Sequence, residues 1–533
     1  MSGDFRRYSG LDELWQRFVP ETPFGRAAKE RAVPITGRSA LETVWDRTDA
    51  ALRLLEALDG DRVTLDRIRH HLRRLPRFPE EPREAFDEVE VFQLKKFLFN
   101  HGSLLALLPA GLKELFGLRE IPGGLGALLG TGRQGDESFH VADAYDPELA
   151  EVRRALRGNE AGTRALRERT DGVLRERWGF AFEGRPFLLV PRERLVDPSV
   201  AAGLLDVEPW DAAQLCVRPR AGAEALRLAE ERTALLSRER GLEARVLSAL
   251  SVPLRETLPF FLGQARAVEA FDLALAGARL AREERLTRPV LGEGEIRIEK
   301  GRHLPTETLC ESLGTPYTPL DAAFGSGPTV LFGSNMGGKT VVLKTLAFLQ
   351  LAAQTGLFVP AARFETRVFR RFHYVGEGRS REEGRGLSGF GFEIRQFNAA
   401  HADFGDATLA LFDEFARTTS SGEAEALLSA ILEDLAVRQG AVALFSTHFL
   451  GVRRLPGVRY LRMGGLDRTR LDLAAPEGEE LADRIRRIDR QMRFCLEPDA
   501  PEERRSDAVA VARLLGLPPA LARRAEEFIH DED

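Results

Sequence analysis

Residues 333–340 form a glycine-rich pattern that is suited to holding phosphate groups. The segment fits the pattern G-x-x-x-x-G-K-[ST], and its residues are Gly333, Ser334, Asn335, Met336, Gly337, Gly338, Lys339 and Thr340. Glycines let the backbone turn its N–H groups toward phosphate oxygens, and the lysine adds a positive charge for the outer phosphates. Because a threonine hydroxyl is a ligand that Mg²⁺ accepts, the pattern predicts a site for a nucleotide phosphate chain with Mg²⁺.

Two carboxylates at the end of a later apolar run are suited to complete this site. The run from Thr408 to Phe412 is followed directly by Asp413 and Glu414. Such a run is typical of a buried parallel strand, and the carboxyl ends of such strands are where α/β proteins bind ligands. We expect Asp413 to hold Mg²⁺, directly or through water, and Glu414 to act as the general base on an attacking water.

A third apolar run, residues 441–445, ends in Ser446, Thr447 and His448. Its position after a predicted strand places His448 near the γ-phosphate. A lone histidine is also often a structural hydrogen-bonding group, and at this point both interpretations stay open.

The elements around these residues are those that a phosphate loop requires. Residues 330–332 are apolar and are predicted to be a strand, and an amphipathic helix is predicted from Val341 to Gln354. From Ile296 onward, predicted strands and helices alternate, as they do in an α/β nucleotide-binding domain.

Several segments, in the same order and spacing, resemble the MutS family of ABC-type ATPases. They are the phosphate loop with residues 351–361 (LAAQTGLFVPA), the signature-like segment 386–393 (GLSGFGFE), the second nucleotide motif 411–420 (LFDEFARTTS), and the switch-histidine segment 446–448 (STH). Residues 339–345 (KTVVLKT) and 353–357 (AQTGL) are most similar to the second bacterial branch of that family. The resemblance is strong over about 300–533, moderate over about 145–290 and weak before that.

The resemblance implies an enzyme that hydrolyses ATP with Mg²⁺ at composite sites of a homodimer. Ser388 matches the signature serine that reaches the γ-phosphate bound on the other subunit, and Lys339, Glu414 and His448 match residues that act on the phosphates. Tyr317 lies where the family places an aromatic residue against adenine, although it is equally suited to packing the loop before the strand.

The chain also departs from the family pattern. We interpret its early Phe-x-Glu matches, residues 78–80 and 86–88, as chance, so no mismatch-reading wedge is expected. Few residues follow the predicted ATPase, so we expect no C-terminal nuclease module. Phe332 and Ser334 replace the usual Thr and Pro, and Ala416 and Thr418 replace glycines beside Arg417. These changes leave phosphate binding intact and affect the expected rate and the geometry of the dimer loop.

The composition is typical of a folded, soluble protein. The chain has 533 residues, of which 43% are hydrophobic and 30% charged, with a net charge of −6. Any affinity for nucleic acid must therefore come from a local patch. Cys216, Cys310 and Cys495 are too scattered for a disulfide framework or a metal site. No apolar signal core or membrane-length run is present, which predicts a cytoplasmic location.

The sequence predicts a mixed fold: all-α core, lever and clamp helices with a small β element, an α/β P-loop ABC-type ATPase domain and a C-terminal helix-turn-helix. The predicted segments are a helical core (1–130), a clamp (131–215), lever and clamp helices (216–290), the ATPase domain (291–490) and a helical dimerisation segment (491–533). One long helix is predicted from Pro147 to about Trp178. Another runs from Ala223 to Thr287 with a break near Pro253 and Pro259.

The clamp segment is where DNA contact is expected. Residues 151–194 contain eleven arginines and seven acidic residues, although the whole chain is negative. Such a segment can neutralise phosphates without reading bases, but a solvated helix of mixed charge has the same composition. Leu228, Leu235 and Leu242 recur every seven residues, as in a coiled-coil seam or an ordinary helix face.

Two functions remain at this point. The first is a DNA clamp, in which a homodimer closes on double-stranded DNA and responds to its structure rather than to mismatches. The second is a protein-remodelling ATPase with a protein client, similar to reactivating factors of cobalamin-dependent lysine aminomutases. The arginine excess favours the first, and the expected absence of mismatch and nuclease modules keeps the second open.

Overall fold

The computed structural model describes residues 3–132, 134–135, 137–195, 201, 203–334, 337–376, 389–405, 407–438, 440–467, 481–500 and 507–531. The chain divides into two compact units. Residues 1–66 belong to the same unit as residues 268–533, and residues 67–267 form the other. The five predicted segments stay a prediction, but the grouping of the N-terminal residues with the C-terminal half was not predicted from the sequence.

The first unit begins with four helices, α1 (Gly3–Ser9), α2 (Leu11–Arg17), α3 (Pro23–Glu30) and α4 (Arg38–Ala57). Thr22 caps α3, because its side chain accepts a hydrogen bond from the Gly25 N–H, and Pro23 then occupies the first position, where no N–H is needed. Phe5 and Trp45 are buried in an apolar cluster that also contains strands of the C-terminal half. These helices are thus part of the core around the predicted ATPase segment.

The second unit is mainly helical. Its helices are α5 (Arg62–Arg74), which enters from the first unit, α6 (Glu88–Leu107), α7 (Ala110–Phe116), α8 (Leu125–Leu129), α9 (Pro147–Trp178) and the first part of α10 (Ala223–Glu284). A small antiparallel sheet is formed by β1 (Leu188–Pro191), β2 (Leu205–Pro209) and β3 (Gln214–Pro219), in the order β1-β3-β2. The structure confirms the predicted long helix and the short β element.

Helices α9 and α10 pair in antiparallel directions. Arg153, near the start of α9, forms ion pairs with Glu239 and Glu243, whereas Arg169, further along α9, pairs with Glu224. The apolar residues packed between them are Leu149, Val152, Leu156, Leu235, Leu242, Val246 and Leu250. The seven-residue repeat in the sequence therefore marks a true seam between two helices.

Helix α10 continues through Pro253 and Pro259, so the predicted break was wrong. A proline inside a helix removes a backbone hydrogen bond and costs about 3 kcal/mol. The helix persists because side chains on either side of the prolines are buried in the second unit, which offsets that cost. These side chains are Leu250, Leu254, Leu258 and Phe261.

The C-terminal half of the first unit contains two sheets. Its strands are β4 (Val290–Leu291), β5 (Ile296–Gly301), β6 (Leu320–Phe324), β7 (Gly327–Phe332), β8 (Arg363–Thr366), β9 (Arg371–Val375), β10 (Thr408–Asp413), β11 (Val442–Thr447), β12 (Arg459–Leu466) and β13 (Met492–Pro498). Six of them form a sheet in the order β13-β12-β7-β11-β10-β9, and four form a sheet in the order β4-β8-β5-β6. Strands β12, β7, β11, β10 and β9 are parallel, so their carboxyl ends meet at one edge.

Among the described residues, seven helices accompany these sheets: α11 (Leu304–Leu313), α12 (Lys339–Gln354), α13 (Gly389–Ala402), α14 (Ser421–Ala436), α15 (Leu481–Gln491), α16 (Ala508–Leu514) and α17 (Pro519–Asp531). Helix α12 is buried on nearly all sides, so the prediction of an amphipathic helix was wrong. Apart from Lys344, Thr345 and two glutamines, residues 341–354 are apolar, and most of them are buried. Its two glutamines are buried because they bond to each other, and Gln354 also donates to the backbone oxygen of Phe369.

The chain is therefore a mixed α and β protein, as predicted. The C-terminal residues form two short helices, α16 and α17, with residues 515–518 between them. In the part of the chain that the structure describes, no helix is both long enough and apolar enough to span a membrane.

Candidate nucleotide site

The glycine-rich loop connects β7 to α12 at the edge where the parallel strands end. Gly338 caps α12 in a left-handed conformation with φ of 88°. A Cβ at this position would lie 3.1 Å from the ring of Phe494, so only glycine fits without displacing that ring. Gly337 donates its N–H to the Ser334 oxygen at 2.9 Å. Asn335 and Met336, both predicted to hold phosphate, lie outside the described residues.

Lys339 points back into this loop and is almost fully buried, with 3% of its side chain exposed. Its Nζ donates to the backbone oxygens of Gly333 and Ser334, at 2.7 and 2.8 Å. Glu414 Oε1 lies 3.7 Å from the same nitrogen. Burial lowers the pKa of Lys339, and the neighbouring Glu414 and Asp413 carboxylates oppose that shift. The cation is thus held at the position where phosphate oxygens would approach the loop.

Asp413 ends β10 and is held by hydroxyl groups. Its Oδ1 accepts from Ser446 Oγ at 2.6 Å and from Thr340 Oγ1 at 3.2 Å. Ser446 reaches Asp413 because β10 and β11 are parallel neighbours that pair these two residues. The structure therefore brings the two predicted metal ligands, Thr340 and Asp413, into direct contact.

Glu414 follows in a left-handed conformation with φ of 53°, which is unusual for a residue with a side chain. Its N–H donates to Ser446 Oγ at 3.0 Å, which fixes the backbone at this turn. Its carboxylate lies between Lys339 and Arg417, whose Nη1 is 3.4 Å from Glu414 Oε2. Ala416 is also left-handed, with φ of 62°, at a position where the resembling family has glycine. The loop shape is thus retained with alanine in place of glycine, at some cost in backbone strain.

His448 follows β11, the strand between β7 and β10. Its Nδ1 is buried and has no hydrogen-bond partner among the described residues. A buried ring nitrogen without a partner is unusual and fits a group that bonds to an incoming ligand. Ser388, the predicted signature serine, lies outside the described residues.

A cavity of about 130 Å³ lies beside the start of α12. Tyr317 and Pro316 line it on one side, and Met463 and Phe494 also contribute to its wall. The Tyr317 hydroxyl accepts a hydrogen bond from the His303 N–H at 2.7 Å, so this tyrosine both lines the cavity and holds the preceding segment. The cavity has the apolar, aromatic lining that a nucleotide base needs.

The donor set fits Mg²⁺. Thr340 and Asp413 offer hard oxygen ligands, and a site with one or two protein ligands plus substrate phosphates is the usual arrangement for this ion. Bound Mg²⁺ would neutralise phosphate charge, with Thr340 and Asp413 as its protein ligands.

Three features of the site escaped sequence reasoning. Phe494 is more than 150 positions from the loop that it contacts, and no local pattern marks it. No role was predicted for Arg417, although its spacing of three residues from Glu414 favours an ion pair with that carboxylate. Ser446 belongs to the segment 446–448, but no contact with Asp413 was predicted for it. The pairing of neighbouring parallel strands is the signal that places it beside Asp413.

Comparison with known proteins identifies the class. Residues 329–531, which contain the loop, the carboxylates and both C-terminal helices, match the family described as MutS domain V, an ATPase-bearing domain family. These residues thus form a domain of the MutS domain V type, and over about three quarters of its length the chain is similar to proteins named endonuclease MutS2.

The relatives are similar at a moderate level. The chain is 28% identical over 418 residues to the endonuclease MutS2 of Halalkalibacterium halodurans, covering 75% of this chain and 48% of that protein. It is 28% identical over 403 residues to the endonuclease MutS2 of Pelotomaculum thermopropionicum, covering 74% and 47%. It is 30% identical over 300 residues to the DNA mismatch repair protein MutS of Granulibacter bethesdensis, covering 56% and 31%. The chain thus spans less than half the length of these relatives.

Proposed function

We propose that this protein is an ATP-dependent DNA clamp that hydrolyses ATP with Mg²⁺ and responds to DNA structure rather than to mismatches. The observation that carries the proposal is the convergence of Lys339, Thr340, Asp413 and Glu414 at one edge of the sheet. These residues supply a cation, two metal ligands and a carboxylate base within one cluster. The names of the relatives, an endonuclease and a mismatch repair protein, support DNA as the other ligand.

In the proposed reaction, water attacks the γ-phosphorus in line with the bond to the bridging oxygen, that bond breaks, and ADP and phosphate are released. Lys339, which lies against the loop oxygens, turns to the outer phosphates when they bind. Glu414 orients the attacking water and accepts its proton, and its left-handed backbone directs the carboxylate toward the loop. His448 Nδ1, which has no hydrogen-bond partner among the described residues, donates to a γ-phosphate oxygen when it carries the ring proton.

A homodimer with composite sites is part of this proposal, because Ser388 matches the signature serine that acts on the partner's nucleotide. Lys339→Ala strongly weakens nucleotide binding in its own subunit, and Ser388→Ala removes the contribution of its subunit to the partner's site. A mixture of the two inactive variants should recover hydrolysis, since each heterodimer retains one intact composite site. Full activity of the wild-type protein as a monomer, measured at its molecular mass in solution, would contradict the assignment.

We expect Tyr317→Ala to weaken ATP binding by about 1–2 kcal/mol, the scale of an aromatic pair plus lost burial. Affinity for inorganic triphosphate should not change, because it has no base. Tyr317→Phe is the matched control: it keeps the ring but loses the contact with the His303 N–H, so ATP affinity should stay near that of the wild type. Equal losses for ATP and triphosphate would show that Tyr317 supports the loop and does not contact the base.

The paired helices α9 and α10 supply the surface proposed to meet DNA. Arg153 is engaged by Asp143, Glu239 and Glu243. Arg164 and Arg167, by contrast, are exposed and form no ion pair within the described residues. Some of the arginines in this segment are therefore engaged in ion pairs within the unit. The exposed guanidinium groups of Arg164 and Arg167 are the ones suited to contact DNA phosphates.

We expect the double change Arg164→Ala and Arg167→Ala to weaken binding of matched and mismatched duplexes alike. The slope of log affinity against log salt should fall by about two units, since each phosphate contact contributes about one. Arg153→Ala serves as the control, because its carboxylate partners hold it within the unit; it should lower thermal stability and leave the salt slope unchanged. Unequal losses for matched and mismatched duplexes would reveal a base-reading element.

The experiment that tests the proposal as a whole is the rate of ATP hydrolysis with and without duplex or branched DNA at low salt. Stimulation by DNA supports the clamp. If the protein neither binds DNA nor responds to it, and a protein client stimulates ATP hydrolysis instead, the result would favour the protein-remodelling ATPase.

A further inference from the structure

The N-terminal helix α1 packs beside the nucleotide site. Its Phe5 is wholly buried, with its ring centroid 5.2 Å from that of Phe372 on β9. One turn later, the ring of Tyr8 stacks on Tyr374 of the same strand, with 3.8 Å between ring centroids. Strand β9 is the neighbour of β10, which ends in Asp413. Two aromatic contacts therefore fix α1 against the strand next to the metal-ligand carboxylate.

The Tyr8 hydroxyl points at the site itself. It lies 3.3 Å from Asp413 Oδ2 and 3.4 Å from the backbone oxygen of Thr340. A carboxylate oxygen accepts and a phenol O–H donates, so this contact is a hydrogen bond from Tyr8 to Asp413. Asp413 Oδ1 thus accepts hydrogen bonds from Ser446 and Thr340, and Asp413 Oδ2 accepts one from Tyr8.

We infer that Tyr8 is a positioning residue for Asp413, supplied by the N-terminal segment to hold the metal-ligand carboxylate. A carboxylate with only Oδ1 bonded can rotate about its terminal torsion, which is broad. The bond to Oδ2 stops that rotation and keeps Oδ1 turned toward Thr340, the second metal ligand. Groups that orient metal ligands in this way affect metal affinity strongly, although they never touch the metal.

The segment that carries Tyr8 is itself anchored. Gly10 links α1 to α2 in a left-handed conformation, and a Cβ there would lie 3.1 Å from His303 Nε2. The same His303 nitrogen bonds to the Ser9 oxygen at 3.0 Å. Further along, the buried carboxylate of Asp272 accepts from the N–H groups of Glu21 and Thr22, both at 2.8 Å. Tyr8 is therefore held by contacts of the segment that follows it and not by the aromatic stack alone.

This inference rests on the proposed ATPase function, and its test separates the two. Tyr8→Phe keeps the stacked ring and removes only the hydroxyl. We expect the Mg²⁺ concentration that half-saturates ATP hydrolysis to rise about tenfold. This is the lower end of the range of affinity losses seen when a group that orients a metal ligand is removed. The maximal rate at saturating Mg²⁺ should stay within about twofold of the wild type, and ADP affinity in EDTA should not change. Tyr145→Phe, which removes a hydroxyl bond to the Leu128 oxygen in the other unit, is the control and should leave the Mg²⁺ curve unchanged.

A Tyr8→Phe curve that coincides with the wild-type curve overturns the inference and leaves the proposed function standing. A variant that is more active at low Mg²⁺ also overturns it, because Tyr8 would then block the metal instead of positioning its ligand. Loss of ADP affinity in EDTA would show a general packing role. A wild-type protein without Mg²⁺-dependent hydrolysis removes both the proposed function and this inference.

Discussion

Glu414→Gln should reduce the maximal rate of ATP hydrolysis by about 100- to 10,000-fold, the range found when a general base is lost. The amide keeps the shape of the side chain and tolerates the same left-handed backbone, but it cannot accept a proton from water. Binding of ATP should persist, because Lys339 and the loop remain. The measurement is single-turnover hydrolysis beside a titration with a fluorescent ATP analogue.

The matched control for this change is Glu433→Gln, which alters an exposed carboxylate on α14 in the same unit. It should hydrolyse ATP at the wild-type rate. A Glu414→Gln protein that retains the wild-type rate would show that another group, with His448 as the first candidate, accepts the proton.

Lys339→Ala should lower ATP affinity by about 100-fold. The reason is the loss of a buried charged partner of the phosphates, worth roughly 3 kcal/mol. The change also leaves the oxygens of Gly333 and Ser334 without the donor that they have in the free protein. Equilibrium titration with ATP and with ADP measures the effect, and the loss should be larger for ATP because the lysine faces the outer phosphates.

Lys300→Ala is the control for this variant, since Lys300 is an exposed lysine on β5 of the same unit. Its ATP affinity should equal that of the wild type. Equal losses of ATP and ADP affinity in Lys339→Ala would place the lysine at the inner phosphates or in loop support, and not at the γ-phosphate.

Local patterns predicted the parts of the site that are continuous in sequence. The loop, Lys339 and Thr340 lie within eight residues, and Asp413 and Glu414 end a strand whose apolar run is plain. Ser446 was within reach, because it sits at the level of Asp413 on the neighbouring parallel strand. Tyr8 was not, since it is 405 positions from Asp413 and only tertiary packing brings them together.

The errors in the fold have the same origin. The prolines of α10 predicted a break because local backbone preference disfavours them, but burial of Leu254, Leu258 and Phe261 outweighs that preference. The spacing of polar residues along α12 suggested one polar face. Its two glutamines are instead buried, where they form hydrogen bonds with each other and with the Phe369 oxygen. Tertiary contacts decide both cases, and they are the information that a single sequence does not display.

The buried position of Lys339 links nucleotide binding to the uptake of protons. Burial places the pKa of this lysine below the 10.5 of an ordinary lysine, so it loses its proton earlier as solution becomes alkaline. Phosphate groups beside the ammonium would raise that pKa, since they favour the charged form. ATP affinity should therefore be constant below the pKa of Lys339 in the free protein and should fall about tenfold per pH unit above it, until the pKa of the complex is reached. Between those two values, each molecule of ATP that binds brings up to about one proton from solution with it.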